Sequence, residues 1–130
     1  MAFSPWVNLE HTGATMRTLD GIDPSVNRAG LRRAADLVLG GTPRNSPVAS
    51  PVFADTLGLP LVLIQIGGHE VMLSDAIGLA ATPAAAAVPT RLDVTPRMGH
   101  VWHLLVGHLP AADKAVAAAI AFAEEHLLAA

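Results

Sequence analysis

The sequence lacks cysteine entirely, and charged residues make up only 15% of its 130 residues. Without cysteine the chain can form neither a disulfide framework nor a thiolate site, so secretion is neither required nor excluded. The charged fraction is below the roughly 25% of ordinary soluble domains, which fits a chain whose surface is partly covered by something else. A net charge of -3 gives no excess of positive charge of the kind that binds nucleic acid or an anionic membrane.

Long apolar runs and aromatic residues are also scarce. No run approaches the ~18 apolar residues of a membrane span, and the N-terminus, MAFSPWVNLE, lacks the basic region of a signal peptide. We therefore expect a cytoplasmic protein. The composition is 52% hydrophobic but only 4% aromatic, and the many alanines favour helices packed closely on a sheet. The length suits one compact domain and leaves little room for two.

Residues 61–66, LVLIQI, form a short and almost unbroken apolar run between a proline and two glycines. A strand that is apolar on both faces is typical of a central parallel strand covered by helices. His69 and Glu70 follow the glycines directly. Since ligands and catalytic groups gather beyond the carboxyl ends of strands in open α/β sheets, Glu70 lies where chemistry is expected.

The remaining patterns alternate helices with strands. They predict a strand at residues 2–4, a loop at 11–23, a helix at 24–39, an extended connection at 42–58, a helix at 71–87, a strand at 91–95 and a helix at 111–130. The alternating polar side chains of the strand at 91–95 favour an edge position. The order β, irregular, α, β, α, β, α indicates parallel α/β packing.

Further expectations concern how these elements begin, end and pack. Asp23 and Pro24 are the residue types of a helix N-cap and first helical position, and Gly40 is the type that ends a helix. Pro83 lies inside the predicted 71–87 helix, so we expect a kink or an end near Ala81. We expect the connection and the last helix to pack through Val48, Val52, Phe53, Val116, Ile120, Phe122 and Leu127.

Glu70 and His100 each follow a predicted strand, one strand–helix unit apart, so both can lie at the same edge of the sheet. A carboxylate that accepts a hydrogen bond from an imidazole N–H fixes the tautomer of the ring and supports the imidazolium formed during base catalysis. This is the acid–base half of a hydrolytic triad. Such residues are, taken alone, more often structural than catalytic, and the pattern leaves both interpretations open.

The other histidines carry weaker signals. His100 and His103 are three residues apart, but zinc needs convergent ligands, and HVWH is not an HExxH spacing. We expect no metal and no cofactor, with a small metal-dependent hydrolase as an open alternative. His103 and His108 are expected at the surface or in support of the site, and His11 and His126 carry no signal.

Four segments, SPWVNL, DPSV, SPVFADTLGLPLVLIQIGGHEVMLSDA and TPRMGHVWHLL, occur in this order. Together they resemble the C-terminal half of the hormone-sensitive-lipase family of serine carboxylesterases, the α/β hydrolase fold-3 group. The resemblance spans essentially the whole chain. It implies a partial α/β hydrolase domain over residues 1–130, with about three parallel strands and flanking helices. It also implies that the complete enzyme hydrolyses a short-chain acyl ester.

The resemblance also implies roles for individual positions. In that family, an acid after the penultimate core strand and a histidine after the last one complete a Ser–acid–His triad. The matching positions are Glu70 for the acid and His100 for the base, with Asp75 as the fallback for the acid. Trp102 matches a bulky aromatic residue two positions after the histidine, and Trp6 matches a tryptophan after a strand. Both are expected to shape the floor of the substrate pocket.

The chain departs from the family pattern as well. It contains no G-x-S-x-G nucleophile elbow and no HGGG-type oxyanion loop, and Gly99 stands where the family often has proline. We expect a fragment without the N-terminal strands, the nucleophile elbow and the cap, inactive alone because a triad works as a unit. Members of this family often dimerise through the last strand and helix, so a homodimer is expected there. The alternative is a non-catalytic, self-associating remnant domain.

Overall fold

A three-stranded parallel sheet forms the centre of the fold, in the order β1-β2-β3. The computed structural model describes residues 1–127, with the backbone alone for Leu127. The strands are β1 (Ala2–Phe3), β2 (Val62–Gly67) and β3 (Thr90–Thr95). The predicted parallel α/β architecture and the central position of the apolar strand are thus confirmed. β3 lies at one edge of the described sheet, as its alternating pattern predicted.

Helices cover both faces of β2. Ile64 and Ile66 point to one face and pack with Ala76 of α3 (Leu73–Ala85). Leu63 points to the other face and packs with Ala119 and Phe122 of α4 (Pro110–Leu127). The three β2 side chains are fully buried, and each contributes about 1.5–3 kcal/mol relative to exposure. This alternation explains why the strand is apolar on both faces.

The helix predicted at 24–39 begins later than expected. After the single turn α1 (Thr15–Thr18), the helix α2 spans Arg28–Leu39 and ends at Gly40, whose φ is 50°. Its N-cap is Asn27, whose side chain accepts a hydrogen bond from the Gly30 N–H. The predicted N-cap, Asp23, instead accepts from the N–H groups two and three residues on, in a local turn. The Asp23 prediction was therefore wrong, because this turn precedes the helix.

Pro83 does not end its helix near Ala81. α3 runs through the proline to Ala85, so the predicted early end was wrong. Pro83 lies in the last turn, where few backbone bonds remain to be lost. Its carbonyl accepts hydrogen bonds from the N–H groups of Ala86 and Val88, which close the C-terminal end of the helix.

Packing in two segments also differs from the prediction. Val48 is 94% exposed and Phe53, in the 3₁₀ turn Pro51–Phe53, is 44% exposed. The connection is anchored by buried Ser50, which accepts from the Leu9 N–H and donates to the Arg44 carbonyl. In α4 the buried stripe is Ala112, Ala115, Ala119 and Phe122, a spacing of three and four residues that leaves Ile120 exposed. The predicted extension to Ala130 and the side chain of Leu127 lie outside the described residues.

Within residues 1–127, none of the helices combines the length and the apolar character needed to cross a membrane.

Candidate active site

The structure brings Glu70 and His100 into contact. Glu70 follows β2 and His100 follows β3, and because these strands are parallel, both loops leave the sheet at its carboxyl edge. His100 Nδ1 lies 3.1 Å from Glu70 Oε2. The glutamate side chain is 0% exposed, whereas that of His100 is 28% exposed. A ring with its proton on Nδ1 donates to the carboxylate and leaves the Nε2 lone pair able to accept a proton.

The buried carboxylate of Glu70 has partners on both oxygens. Oε1 accepts hydrogen bonds from the Ser4 hydroxyl at 2.7 Å and from the Gly67 N–H at 2.6 Å. With His100 on Oε2, three groups surround the carboxylate, which offsets much of the cost of burying a charge. The carboxylate therefore has a defined orientation towards the imidazole.

The two loops that carry this pair are joined by backbone hydrogen bonds beyond the ends of the strands. The Gly68 N–H donates to the Thr95 carbonyl, and the His69 N–H donates to the Met98 carbonyl. Gly67 allows this approach, because a Cβ there would lie 2.2 Å from the Met98 oxygen. Gly99 lies against Pro24, whose Cδ would be 3.0 Å from a Cβ at position 99. These contacts determine where His100 enters the site.

Asp75, the fallback for the acid, makes different contacts. Its Oδ2 accepts hydrogen bonds from the N–H groups of Val7 and Asn8 at 3.1 and 3.0 Å. Within the described residues, its Oδ1 has no hydrogen-bond partner. Burial raises the pKa of Asp75 to about 6, against the opposing effect of the two N–H groups. Asp75 thus holds the loop after β1, and Glu70 is the carboxylate that contacts His100.

Trp6 lies in the same loop and is paired with His11. Its indole N–H donates to His11 Nε2 at 3.1 Å, and the two rings stack with centroids 5.7 Å apart. His11 is 4% exposed. Burial and the nearby charges of Arg44, Arg32 and Arg28 lower the pKa of His11, which favours the neutral ring whose Nε2 accepts the indole hydrogen bond.

Trp102 and His103 lie under the site, in the 3₁₀ turn Trp102–Leu105. Trp102 packs against Ala112 and Ala115 of α4. His103 is 7% exposed, so of the two positions expected for it the surface is excluded and support of the site is left, whereas His108 is exposed. Burial is the main cause that lowers the pKa of His103, against the raising effect of the Glu70 charge.

Gln65 explains the orientation of the His103 ring. The Gln65 amide nitrogen donates to the Ala115 carbonyl at 3.0 Å, so its oxygen faces His103 Nε2 at 3.0 Å. His103 therefore carries its proton on Nε2 and donates to Gln65. This chain of hydrogen bonds ties β2, the 3₁₀ turn and α4 together beneath His100.

A cavity of about 350 Å³ lies elsewhere, between β3 and α4. Its polar lining comes from Gln65, Arg91, Asp93, Thr95 and Lys114, and neither Glu70 nor His100 borders it. No group of three or more histidine, aspartate or glutamate side chains within the described part of the chain could hold a metal ion. His100 and His103, the pair considered for a metal, contact Glu70 and Gln65 respectively.

The sequence analysis assigned no role to two residues of this region. Ser4 contacts Glu70 across 66 positions, and its only sequence signal was its place in the SPWVNL segment. His11 was given no role, although it supports Trp6. Its φ of 55° belongs to a short turn closed by the bond from its N–H to the Asn8 carbonyl, a feature that residue spacing does not reveal.

Comparisons with known proteins point to one group. A family model described as alpha/beta hydrolase fold matches residues 1–104. An acetyl-hydrolase of Streptomyces hygroscopicus is 38% identical over 122 residues, which cover 94% of this chain and 41% of the relative. Esterase LipU of Mycobacterium tuberculosis is 35% identical over 100 residues, which cover 77% of this chain and 32% of the relative.

Solved structures agree with these relatives. An esterase from the bacterial hormone-sensitive lipase family superimposes with a TM-score of 0.93 and 39% identity, covering 96% of this chain and 43% of that one. EstE5, in a crystal soaked with p-nitrophenyl butyrate, has a TM-score of 0.90 and 35% identity, covering 95% and 42%. The chain thus spans less than half the length of the proteins it matches.

Proposed function

Because the chain belongs to the alpha/beta hydrolase fold family, we propose that it supplies the acid and the base of a serine carboxylesterase, with Glu70 as the acid and His100 as the base. The family predicted from the sequence motifs is confirmed, and it is a family of hydrolases with esterases among its members. The observation that carries the proposal is the 3.1 Å contact between a fully buried carboxylate and a partly exposed imidazole.

In the proposed reaction, His100 moves the proton. Its Nε2 removes the proton of a serine hydroxyl as the oxygen attacks the ester carbonyl, and returns it to the leaving alcohol oxygen when the C–O bond breaks. A water molecule then attacks the acyl-enzyme with the same assistance. Glu70 holds the Nδ1–H tautomer and stabilises the imidazolium that forms in each step.

The serine nucleophile is the part of the triad that this sequence does not offer. Its serines, at positions 4, 25, 46, 50 and 74, all lack the G-x-S-x-G context. Since the chain spans 41% of the acetyl-hydrolase relative, the nucleophile in our proposal comes from polypeptide outside these residues. We expect little or no ester hydrolysis from the chain alone.

The proposed substrate is a short-chain acyl ester. The support comes from the relatives, one an acetyl-hydrolase and another studied with p-nitrophenyl butyrate. Trp6 and Trp102 are proposed to support the pocket, together with His103. We propose no nucleic-acid partner, in keeping with the net charge of -3, and the cytoplasmic location stays a prediction that cell fractionation would test.

A chimera tests the proposal directly. This chain replaces the matching segment of the Streptomyces acetyl-hydrolase relative, and hydrolysis of p-nitrophenyl acetate and butyrate is measured. Glu70→Gln and His100→Ala are each expected to lower kcat/KM by roughly 10³-fold or more. His108→Ala, which removes an exposed histidine from the same stretch, is the matched control and is expected to leave the activity unchanged.

Circular dichroism of each chimera shows whether it is folded. Activity that survives both Glu70→Gln and His100→Ala would rule out the assignment. A folded chimera that is inactive with the wild-type residues would also count against it, because the proposal requires this chain to supply a working acid and base.

Self-association is the second candidate, and the free edge of the sheet favours it. Within the described residues β3 pairs with β2 alone, so its other edge presents unpaired backbone groups, and Val94 on this strand is 45% exposed. We propose a homodimer through β3 and α4. Light scattering after size-exclusion chromatography is expected to give the dimer mass, and a monomer at micromolar concentration would refute this proposal.

A further inference from the structure

Ser4 occupies an unusual backbone position at the end of β1. Its φ is 47°, in the left-handed region that non-glycine residues seldom adopt. It is 4% exposed, so its hydroxyl is removed from solvent. A conformation of this kind is energetically unfavourable and persists only where surrounding contacts maintain it.

The hydroxyl of Ser4 connects the two halves of the proposed acid–base pair. It donates to Glu70 Oε1 at 2.7 Å and accepts from the Val101 N–H at 3.0 Å. Val101 directly follows His100 and has a φ of 50°, which is an outlier for a β-branched residue. Ser4 therefore contacts the acid through its proton and the chain beside the base through its oxygen.

We propose that Ser4 is a positioning residue for the Glu70–His100 pair, and this inference rests on the proposed function. Ser4 and the Gly67 N–H both bind Oε1, so the carboxylate cannot rotate without losing two hydrogen bonds, and Oε2 stays directed at His100. The bond to the Val101 N–H holds the strained backbone that presents the imidazole.

Ser4 is not the missing nucleophile. Its proton is already donated to Glu70, it is buried, and Ala2 and Trp6 stand two positions away on either side, where a nucleophile elbow has glycines. A serine suits the positioning role, since alanine lacks the hydroxyl and threonine would add β-branching at a positive φ.

The test measures the tautomer of neutral His100 in the chain itself. Nitrogen NMR shifts of Nδ1 and Nε2 distinguish the two tautomers, and His100→Ala identifies the signals. We expect the Nδ1–H tautomer to dominate in the wild type. Ser4→Ala is expected to lower the ratio of Nδ1–H to Nε2–H roughly fivefold, since a hydrogen bond to the charged carboxylate is lost.

Two further variants separate a positioning role from a structural one. Ser4→Gly also removes the hydroxyl but relieves the strain of the positive φ, so it is expected to lower the ratio as much as Ser4→Ala while folding more readily. Ser74→Ala is the matched control, because the Ser74 hydroxyl bonds to Thr15 and, within residues 1–127, to neither Glu70 nor His100. We expect Ser74→Ala to leave the His100 ratio unchanged.

The outcomes also separate this inference from the proposed function. Glu70→Gln should invert the tautomer ratio, because an amide N–H placed opposite His100 Nδ1 cannot accept its proton. An inverted ratio in Glu70→Gln with no change in Ser4→Ala and Ser4→Gly would overturn the role of Ser4 and leave the pair intact. A ratio unmoved by Glu70→Gln would overturn the pair itself.

Discussion

Gly67 offers the most direct test of how the site is built. A Cβ at this position would lie 2.2 Å from the Met98 oxygen, 2.7 Å from the Met98 carbonyl carbon and 3.0 Å from Glu70 Oε1. Real Cβ atoms essentially never come within 3.0 Å of such neighbours. Gly67→Ala therefore forces the Met98 backbone to move by about 1 Å, and His100 is two residues further along.

The expected cost combines two effects. Forcing an extra methyl group into a packed region typically costs about 1–3 kcal/mol. The movement also loosens the bonds that Gly67 and His69 donate to Glu70 and Met98, and a bond to a charged group is worth about 1.5–3 kcal/mol. We expect Gly67→Ala to lower the free energy of unfolding by about 3 kcal/mol or more.

Urea unfolding followed by tryptophan fluorescence measures this change. The matched control is Gly68→Ala, whose Cβ would approach its nearest neighbours, in Pro96, Arg97 and Thr95, no closer than 3.3 Å. We expect that control to cost less than about 1 kcal/mol. The reasoning is refuted if Gly67→Ala stays within about 0.5 kcal/mol of the wild type, or if both substitutions cost the same.

Three further expectations follow from buried groups. The folded state binds the Asp75 proton more tightly than the unfolded state, so this group lowers stability as pH rises from 3.8 towards about 6. Asp75→Asn should remove up to about 3 kcal/mol of this decline in the free energy of unfolding, so the urea midpoint of the variant should depend less on pH than that of the wild type. An unchanged pH dependence would contradict this expectation. The lowered pKa of His11 has the opposite effect on stability. The contribution of His11 to the free energy of unfolding is complete above pH 6.5 and is lost as the pH falls through the lowered pKa. Trp6 fluorescence should change over the same range in the wild type and not in His11→Asn, and an identical change in both would disprove the link. Leu63→Ala should cost about 2–5 kcal/mol of unfolding free energy, while Leu37→Ala, at a residue that is 81% exposed, should cost less than about 0.5 kcal/mol; equal costs would contradict the packing.

The course of the chain could largely be predicted from local patterns. The apolar run at 61–66 became β2, and the alternating segment at 91–95 became the edge strand β3, because strand patterns follow directly from which faces are covered. Glu70 and His100 could be selected because the carboxyl ends of parallel strands lie together and because the motifs resemble one family.

Helix ends and packed faces were less predictable. Asp23 and Asn27 are both good N-cap residues, and only the turn that precedes α2 decides between them. Alanines dominate the buried stripe of α4, so the larger Ile120 gave a misleading signal. Such choices depend on which face meets a neighbour, and local periodicity leaves several faces available.

The amino-acid sequence by itself determined the α/β class, the central strand, the family and the two residues placed at the strand ends. Tertiary structure alone decided which carboxylate meets His100, since Glu70 and Asp75 are five residues apart and only one faces the ring. It also decided that Ser4 touches both Glu70 and Val101, across 66 and 97 positions. Contacts at such separations arise when strands pair and loops close, and no local pattern encodes them.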